Sequence, residues 1–266
     1  MKTIVIQATF ENASNWSNHW GTDALLNQCI ESVKNWAKIN SFDYKHYEEP
    51  VHPLTTLVSE ESYKLPYHKL FLLDQPDYDR VVWIDNDVLV EGNPVIDASP
   101  FCIYEYPSDY KTQYNLWTNC GVMWGTRDFL KGLHSYVIAQ EDINTRDIFL
   151  EYQRMSYLLK DHKYFPGSSD GTVFDETVIQ QYLRSKALNI NRIHNCIMLG
   201  INPLPIDYNF FVHFEGKFKL FQYEMYNVLR SSRNNNYLNT MMQNMLLYSR
   251  FLSQEPVLEP HEKRIK

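Results

Sequence analysis

The chain has 266 residues, of which 44% are hydrophobic, enough for the core of one large domain. Its 25 Lys and Arg are outnumbered by 32 Asp and Glu, so the net charge is −7, and no basic block suggests nucleic acid as the main partner. No run approaches the ~20 apolar residues of a membrane span, and the N-terminal apolar run is too short for a secretory signal. The four cysteines lie far apart without a CxxC pair. We therefore expect a soluble, cytoplasmic protein with reduced thiols and no structural zinc site.

Short apolar runs alternate with helix-spaced apolar residues along the first part of the chain. The runs predict strands at 3–8, 43–48 and 80–85. Apolar residues recurring on one helix face predict helices at 22–38 and 62–74.

The same alternation continues to the C-terminus. Further strands are predicted at 101–105, 120–125 and 210–214, and further helices at 127–139, 147–160, 175–184 and 220–252. Strands alternating with helices imply an α/β fold with a largely parallel sheet. In such sheets, ligands bind beyond the carboxyl ends of the strands, near a switch in strand order.

The strand at 80–85 runs directly into the triplet Asp85-Asn86-Asp87. Because side chains alternate along a strand, Asp85 and Asp87 are expected on one side and Asn86 on the other. A bend at the end of the strand would let both carboxylates approach one cation. Two carboxylates at the end of an apolar strand need a counter-charge, which a divalent cation that prefers oxygen ligands supplies. The alternative is a solvated turn, in which Asp and Asn are common.

Two enzyme families place Asp-x-Asp directly after a buried strand. The triplet resembles that of haloacid-dehalogenase-type phosphatases, in which the first Asp is a nucleophile and the second an acid. In that family the motif opens the first strand, and Thr or Val stands two places after the second Asp. Here the motif begins at residue 85, and Leu89 stands at that place. This alternative implies Mg²⁺-dependent release of phosphate from small phosphoesters.

Four segments together resemble the GT-A glycosyltransferases, which use nucleotide-sugar donors. YDRVVWIDNDVLV at 78–90 resembles the metal-binding strand of the glycogenin-like family 8, and TNCGVMWGT at 118–126 resembles its Asn-x-Gly-Val strand. FDETVIQQYL at 174–183 resembles the acidic segment of family 8 and, more closely, that of the blood-group-type family 6. VHFEGKFK at 212–219 carries the pattern His-x-x-Gly-x-x-Lys, but the Pro-Trp that follows in family 8 is absent here.

This resemblance implies a GT-A domain at 1–225, with a mostly parallel central sheet, followed by a helical extension and tail at 226–266. It implies transfer of a sugar from a nucleotide diphosphate donor, expected to be a UDP-sugar, to a glycan or other hydroxyl acceptor, with retention of configuration. It implies metal ligands at Asp85, Asp87 and His213, a set that suits Mn²⁺ better than the alternative Mg²⁺. A non-catalytic protein of the same fold that binds nucleotide or glycan is a further alternative.

The resemblance also assigns residues around the diphosphate and the donor sugar. It places Gly216 and Lys219 beside the diphosphate, and Lys69 is a second cationic candidate. It places the catalytic carboxylates at Asp175 and Glu176, facing the reacting sugar carbon. The alternatives are solvent exposure for the lysines and a favourable position at a helix start for the two acids.

The remaining candidates are expected to contact the nucleotide or the sugar. Ala8 and Thr9, at the end of the first strand, are placed at the base and ribose, with Asn86 beside them. Asn119 and Gly121 lie on the strand that would line the sugar and acceptor pocket.

Overall fold

The computed structural model describes residues 1–9, 23–48, 69–105, 118–142, 191–198, 209–214 and 219–231, with scattered positions between 179 and 188 and residue 244. None of the helices in these segments offers the uninterrupted apolar length that a bilayer would require.

The described segments form nine strands and three helices. In chain order they are β1 (Thr3–Ala8), α1 (Asp23–Ile39), β2 (Asp43–Tyr47), β3 (Arg80–Ile84), β4 (Val88–Glu91), β5 (Phe101–Glu105), β6 (Thr118–Thr126), α2 (Arg127–Asp142), β7 (Asn191–Arg192), β8 (Cys196–Met198), β9 (Phe210–His213) and α3 (Lys219–Ser231).

A six-stranded sheet lies at the centre, in the order β2-β1-β3-β6-β5-β7. Strand β1 pairs in parallel with β2 and β3, and β5 pairs in parallel with β7. Strand β6 runs antiparallel to both of its neighbours, β3 and β5. A second sheet has the order β4-β9-β8. The predicted α/β class with a mostly parallel central sheet is confirmed, and the carboxyl ends of β1, β2 and β3 lie at one edge.

The core covers both faces of the central sheet, because side chains alternate along its inner strands. On one face, Ile4 and Ile6 of β1 pack in a cluster that includes apolar residues of α2. On the other face, Val5 packs in a cluster with Val33 and Trp36 of α1. A third cluster joins α1 and α3 to the second sheet. Burial on both faces explains why β1 and β3 read as continuous apolar runs.

Most of the predicted elements within the described segments are present. The helix predicted at 127–139 continues to Asp142. Of the helix predicted at 62–74, only residues 69–74 are described, and 69–72 are helical. The helix predicted at 147–160 lies outside the described residues. The sequence does not predict β7 and β8, because two or three residues carry no readable periodicity.

The C-terminal region is described as far as α3, apart from residue 244. Helix α3 begins one residue before the helical stretch predicted at 220–252, and it continues across the predicted domain boundary after residue 225. The division into a domain and an extension therefore stays a prediction.

Candidate functional site

The acidic triplet lies in a turn between two strands. Strand β3 ends at Ile84 in the central sheet, and β4 begins at Val88 in the second sheet. The Asp85 N–H donates to Gly121 O at 2.7 Å, and the Val88 N–H donates to Asp85 O at 3.2 Å. The two carboxylates therefore converge at a bend, as the sequence predicts, and the chain changes sheets at this point.

The structure brings together the three residues that the sequence predicts as metal ligands. One potential ligand atom from each of Asp85, Asp87 and His213 lies within 4.8 Å of the others. His213 arrives through the antiparallel pairing of β9 with β4, in which it lies opposite Val88. Two carboxylate oxygens and one imidazole nitrogen are a donor set that a divalent cation such as Mn²⁺ accepts.

Lys69 and Trp83 both contact the Asp85 carboxylate. The Lys69 ammonium is 3.0 Å from Asp85 Oδ1, and the Trp83 indole N–H donates to the same oxygen at 2.5 Å. Lys69 is 5% exposed; its ammonium also lies 3.5 Å from Cys120 O and over the Trp83 ring. These contacts indicate that Lys69 orients Asp85. Its predicted contact with a diphosphate stays a prediction. Sequence analysis missed Trp83, although its position two residues before Asp85 is a usable signal.

Asp87 lies between two basic side chains. His213 Nε2 is 3.2 Å from Asp87 Oδ1, and the Lys219 ammonium contacts Asp87 Oδ2. Burial alone would raise the pKa of the Asp87 carboxyl, but the charge of Lys219 and the contact with His213 outweigh burial and hold this pKa well below its usual value. The Asp87 carboxylate is therefore ionised at neutral pH.

Gly121 provides the space that the His213 ring occupies. A Cβ atom at position 121 would lie 2.7 Å from His213 Nδ1 and 2.9 Å from Asn119 Oδ1, closer than real Cβ atoms approach other groups. Asn119 Oδ1 accepts a hydrogen bond from the Gly121 N–H at 2.8 Å. The missing side chain at Gly121 therefore leaves room for the imidazole, and Asn119 contacts the backbone of that glycine. Their contact with a donor sugar stays a prediction.

The residues predicted to contact the nucleotide also lie together, at the carboxyl end of β1. The Asn86 amide donates to Ala8 O and to Thr9 Oγ1, both at 2.5 Å. Thr9 Oγ1 is 2.8 Å from His46 Nε2 on the parallel neighbour β2. Burial lowers the pKa of His46, and Glu48 only partly opposes this, so the imidazole is neutral at pH 7. Sequence analysis missed His46, although its position at the end of the second predicted strand is the signal that could have found it.

Three predicted site residues lie outside the described residues: Asp175, Glu176 and Gly216. Their assigned roles stay predictions.

Comparison with known proteins identifies the fold. No family model matches the sequence, and no curated protein matches it significantly. A solved glycosyltransferase involved in the glycosylation of the major capsid of PBCV-1 aligns with 86% of this chain and 100% of its own, with a TM-score of 0.53 and 15% identity. The chain has the GT-A fold. At this identity the likeness shows the fold alone, so membership of family 8 and the family 6-like segment stay predictions.

Other solved structures with some likeness to this GT-A fold have TM-scores below 0.5. The apo form of the glycosyltransferase GlyE from Streptococcus pneumoniae TIGR4 covers 96% of this chain and 64% of its own, at 12% identity and a TM-score of 0.43. A mutant Drosophila β1,4-galactosyltransferase 7 in complex with manganese, UDP-Gal and xylobiose covers 81% and 71%, at 11% identity and a TM-score of 0.39. Neither adds to the fold assignment.

Proposed function

We propose that the protein is a metal-dependent glycosyltransferase that moves a sugar from a nucleotide diphosphate donor to a hydroxyl group of an acceptor. The observation that carries this proposal is the convergence of Asp85, Asp87 and His213 within 4.8 Å, in a GT-A fold. The cluster lies beyond the carboxyl end of β3, where α/β sheets bind their ligands.

The three side chains fit a divalent metal ion. They offer two hard oxygen ligands and one nitrogen ligand, which favours Mn²⁺ over Mg²⁺. When bound, such a cation would offset the negative charge that develops on the departing nucleoside diphosphate. Asp87 is ionised in the folded protein, as a metal ligand must be.

The chain's own residues would bind and orient the donor around that cluster. Lys219 lies at the cluster and carries the charge to contact the diphosphate. Thr9 and Asn86 are joined at the carboxyl end of β1, beside the acidic turn, where we place the nucleoside of a UDP-sugar. Trp83 and Lys69 would keep the Asp85 carboxylate in one orientation.

The catalytic carboxylates are assigned from sequence resemblance alone. We place Asp175 and Glu176 toward the donor sugar, where a carboxylate stabilises an oxocarbenium-like carbon. Gly216 would allow the backbone to approach the diphosphate closely. Retention of configuration, a cytoplasmic location and a glycan acceptor belong to the same set of proposals.

The test combines donor hydrolysis with ligand binding. Nucleotide release from a panel of nucleotide sugars is measured with and without Mn²⁺, and the affinity for UDP plus Mn²⁺ is measured by calorimetry. Asp87→Asn should fold but lose at least about 10-fold in affinity, because it removes a charged ligand. The matched control is Asp128→Asn, an exposed carboxylate in the first turn of α2, which should behave as wild type.

Each alternative predicts a different result in these assays. Unchanged UDP and Mn²⁺ binding by Asp87→Asn would remove this residue from the site. Phosphate release from small phosphoesters without nucleotide dependence would favour the phosphatase. Tight binding of UDP and Mn²⁺ with no turnover on any donor would favour a non-catalytic binding protein.

A further inference from the structure

The Asp87 carboxylate already lies beside two basic side chains. The Lys219 ammonium contacts Oδ2, and His213 Nε2 lies 3.2 Å from Oδ1. Asp87 and Lys219 are 9% and 7% exposed, so water screens their attraction only weakly. A cation that uses Asp87 as a ligand must therefore compete with the charge of Lys219.

Each carboxylate of the site is paired with a lysine before any ion is added. Among the described side chains, Asp85 and Asp87 carry two negative charges, and their partners Lys69 and Lys219 carry two positive ones. A divalent cation that binds alone would leave an uncompensated double positive charge in a largely buried site, which is costly. A nucleotide diphosphate carries several negative charges and would restore the balance.

Of the two lysines, Lys219 is the one that we expect to leave its carboxylate when a ligand binds. Lys69 lies behind Asp85 and is held by that carboxylate, by Cys120 O and by the Trp83 ring. Lys219 is the first residue of α3, so its backbone lies at an element boundary. Its ammonium contacts Oδ2 of Asp87, so a cation bound by this carboxylate would lie close to the ammonium charge.

We propose that Lys219 occupies Asp87 in the free protein and exchanges to the diphosphate when metal and nucleotide bind together. This inference rests on the proposed function and adds to it that Lys219 couples the two ligands. Metal alone binds weakly, because it must displace the ammonium from Asp87 and brings no anion to replace that carboxylate. The diphosphate supplies such an anion, so each ligand raises the affinity for the other.

The test is the affinity for Mn²⁺ alone, measured by calorimetry, and then again with UDP present. Lys219→Met removes the competing charge while keeping much of the side-chain length. It should bind Mn²⁺ alone about 10-fold more tightly than wild type, within the range of site-to-site couplings, and the effect of UDP on Mn²⁺ affinity should shrink. Adding Asp87→Asn to this variant should abolish the gain.

Two control variants separate this role from a general loss of charge. Lys219→Arg keeps a cation at Asp87 and should keep the weak binding of Mn²⁺ alone. Arg230→Met removes a cation of the same helix that pairs with Glu91 at 3.2 Å, and it should bind Mn²⁺ as wild type does.

The failure of this inference can be told apart from the failure of the proposed function. If Lys219→Met binds Mn²⁺ alone no more tightly than wild type, while wild type still binds Mn²⁺ with UDP, the exchange is refuted and the function stands. If wild type binds Mn²⁺ neither alone nor with UDP, the proposed function itself fails. Should Lys219→Met be unstable without metal, Mn²⁺ should raise its melting temperature more than that of wild type, and an equal shift would refute the exchange.

Discussion

Replacing Gly121 by alanine would test whether this glycine exists to make room for His213. The added Cβ atom would clash with its nearest neighbour, His213 Cε1, and would lie 2.7 Å from Nδ1. Ordinary van der Waals contact begins at 3.4 Å, so the ring must move by about 1 Å. Asn119 Oδ1, at 2.9 Å from the same position, limits movement of the new methyl group toward the other side.

The expected effect has a stability part and a binding part. Overpacking a buried site costs about 1–3 kcal/mol, which for a chain of this size lowers the melting temperature by roughly 2–4 °C per kcal/mol. Metal–ligand distances tolerate displacements of only about 0.2 Å, so a shift of the size required removes His213 from the ligand set. We expect Gly121→Ala to lose about 10- to 100-fold in affinity for Mn²⁺ with UDP.

Gly125→Ala is the matched control, because it adds the same methyl group to the same strand. Its Cβ atom would lie 3.0 Å from Leu130 and 3.2 Å from Phe101, so it should lower the melting temperature without changing metal or nucleotide affinity. Both variants are measured by thermal unfolding and by calorimetry with Mn²⁺ and UDP. Wild-type affinity in Gly121→Ala, or an equal loss in both variants, would refute the role of Gly121 in placing His213.

Two further predictions concern neighbours of the site. Trp83→Phe removes the N–H that donates to Asp85 but keeps an aromatic ring, and it should cost about 10-fold in calorimetric affinity for Mn²⁺ with UDP. The control Trp36→Phe loses an indole hydrogen bond to Pro94 O and should keep this affinity, so equal losses in the two variants would contradict the reasoning. Burial lowers the pKa of the His46 imidazole in the folded protein, and Glu48 opposes this only partly. The unfolded chain therefore binds a proton at His46 more readily than the folded protein does, and the folded protein loses stability as the pH falls below about 6.5. The melting temperature of wild type should therefore fall more steeply between pH 7.5 and 5.5 than that of His46→Gln, and parallel curves would argue against a buried neutral imidazole.

The local sequence predicts the main helices and strands of this fold well, because the inner strands of the central sheet are buried on both faces. The run before Asp85 is apolar at every position from Val81 to Ile84, and this burial makes β3 readable without any tertiary information. Strands β7 and β8 are two and three residues long, and their pairing depends on neighbours distant in sequence. Such short elements have no local signature that could predict them.

The three predicted metal ligands lie together in the structure, and their role in binding metal stays a prediction. A bend at the end of the strand is expected from the sequence, but only the structure shows that the chain turns at Asn86 and enters a second sheet. His213 joins them through pairing with Val88, a contact between residues 125 positions apart that no local pattern encodes.

By itself, the sequence determines the order and type of the main elements and places carboxylates directly after a buried strand, because hydrophobic periodicity and ligand chemistry are local properties. Only the tertiary structure decides what surrounds those carboxylates. Lys69 and Trp83 hold Asp85, and Lys219 occupies Asp87, because packing brings distant side chains into contact within a few ångströms. In a buried site, the charges of side chains and the distances between them determine which groups pair. Those distances depend on the three-dimensional arrangement of the whole sheet.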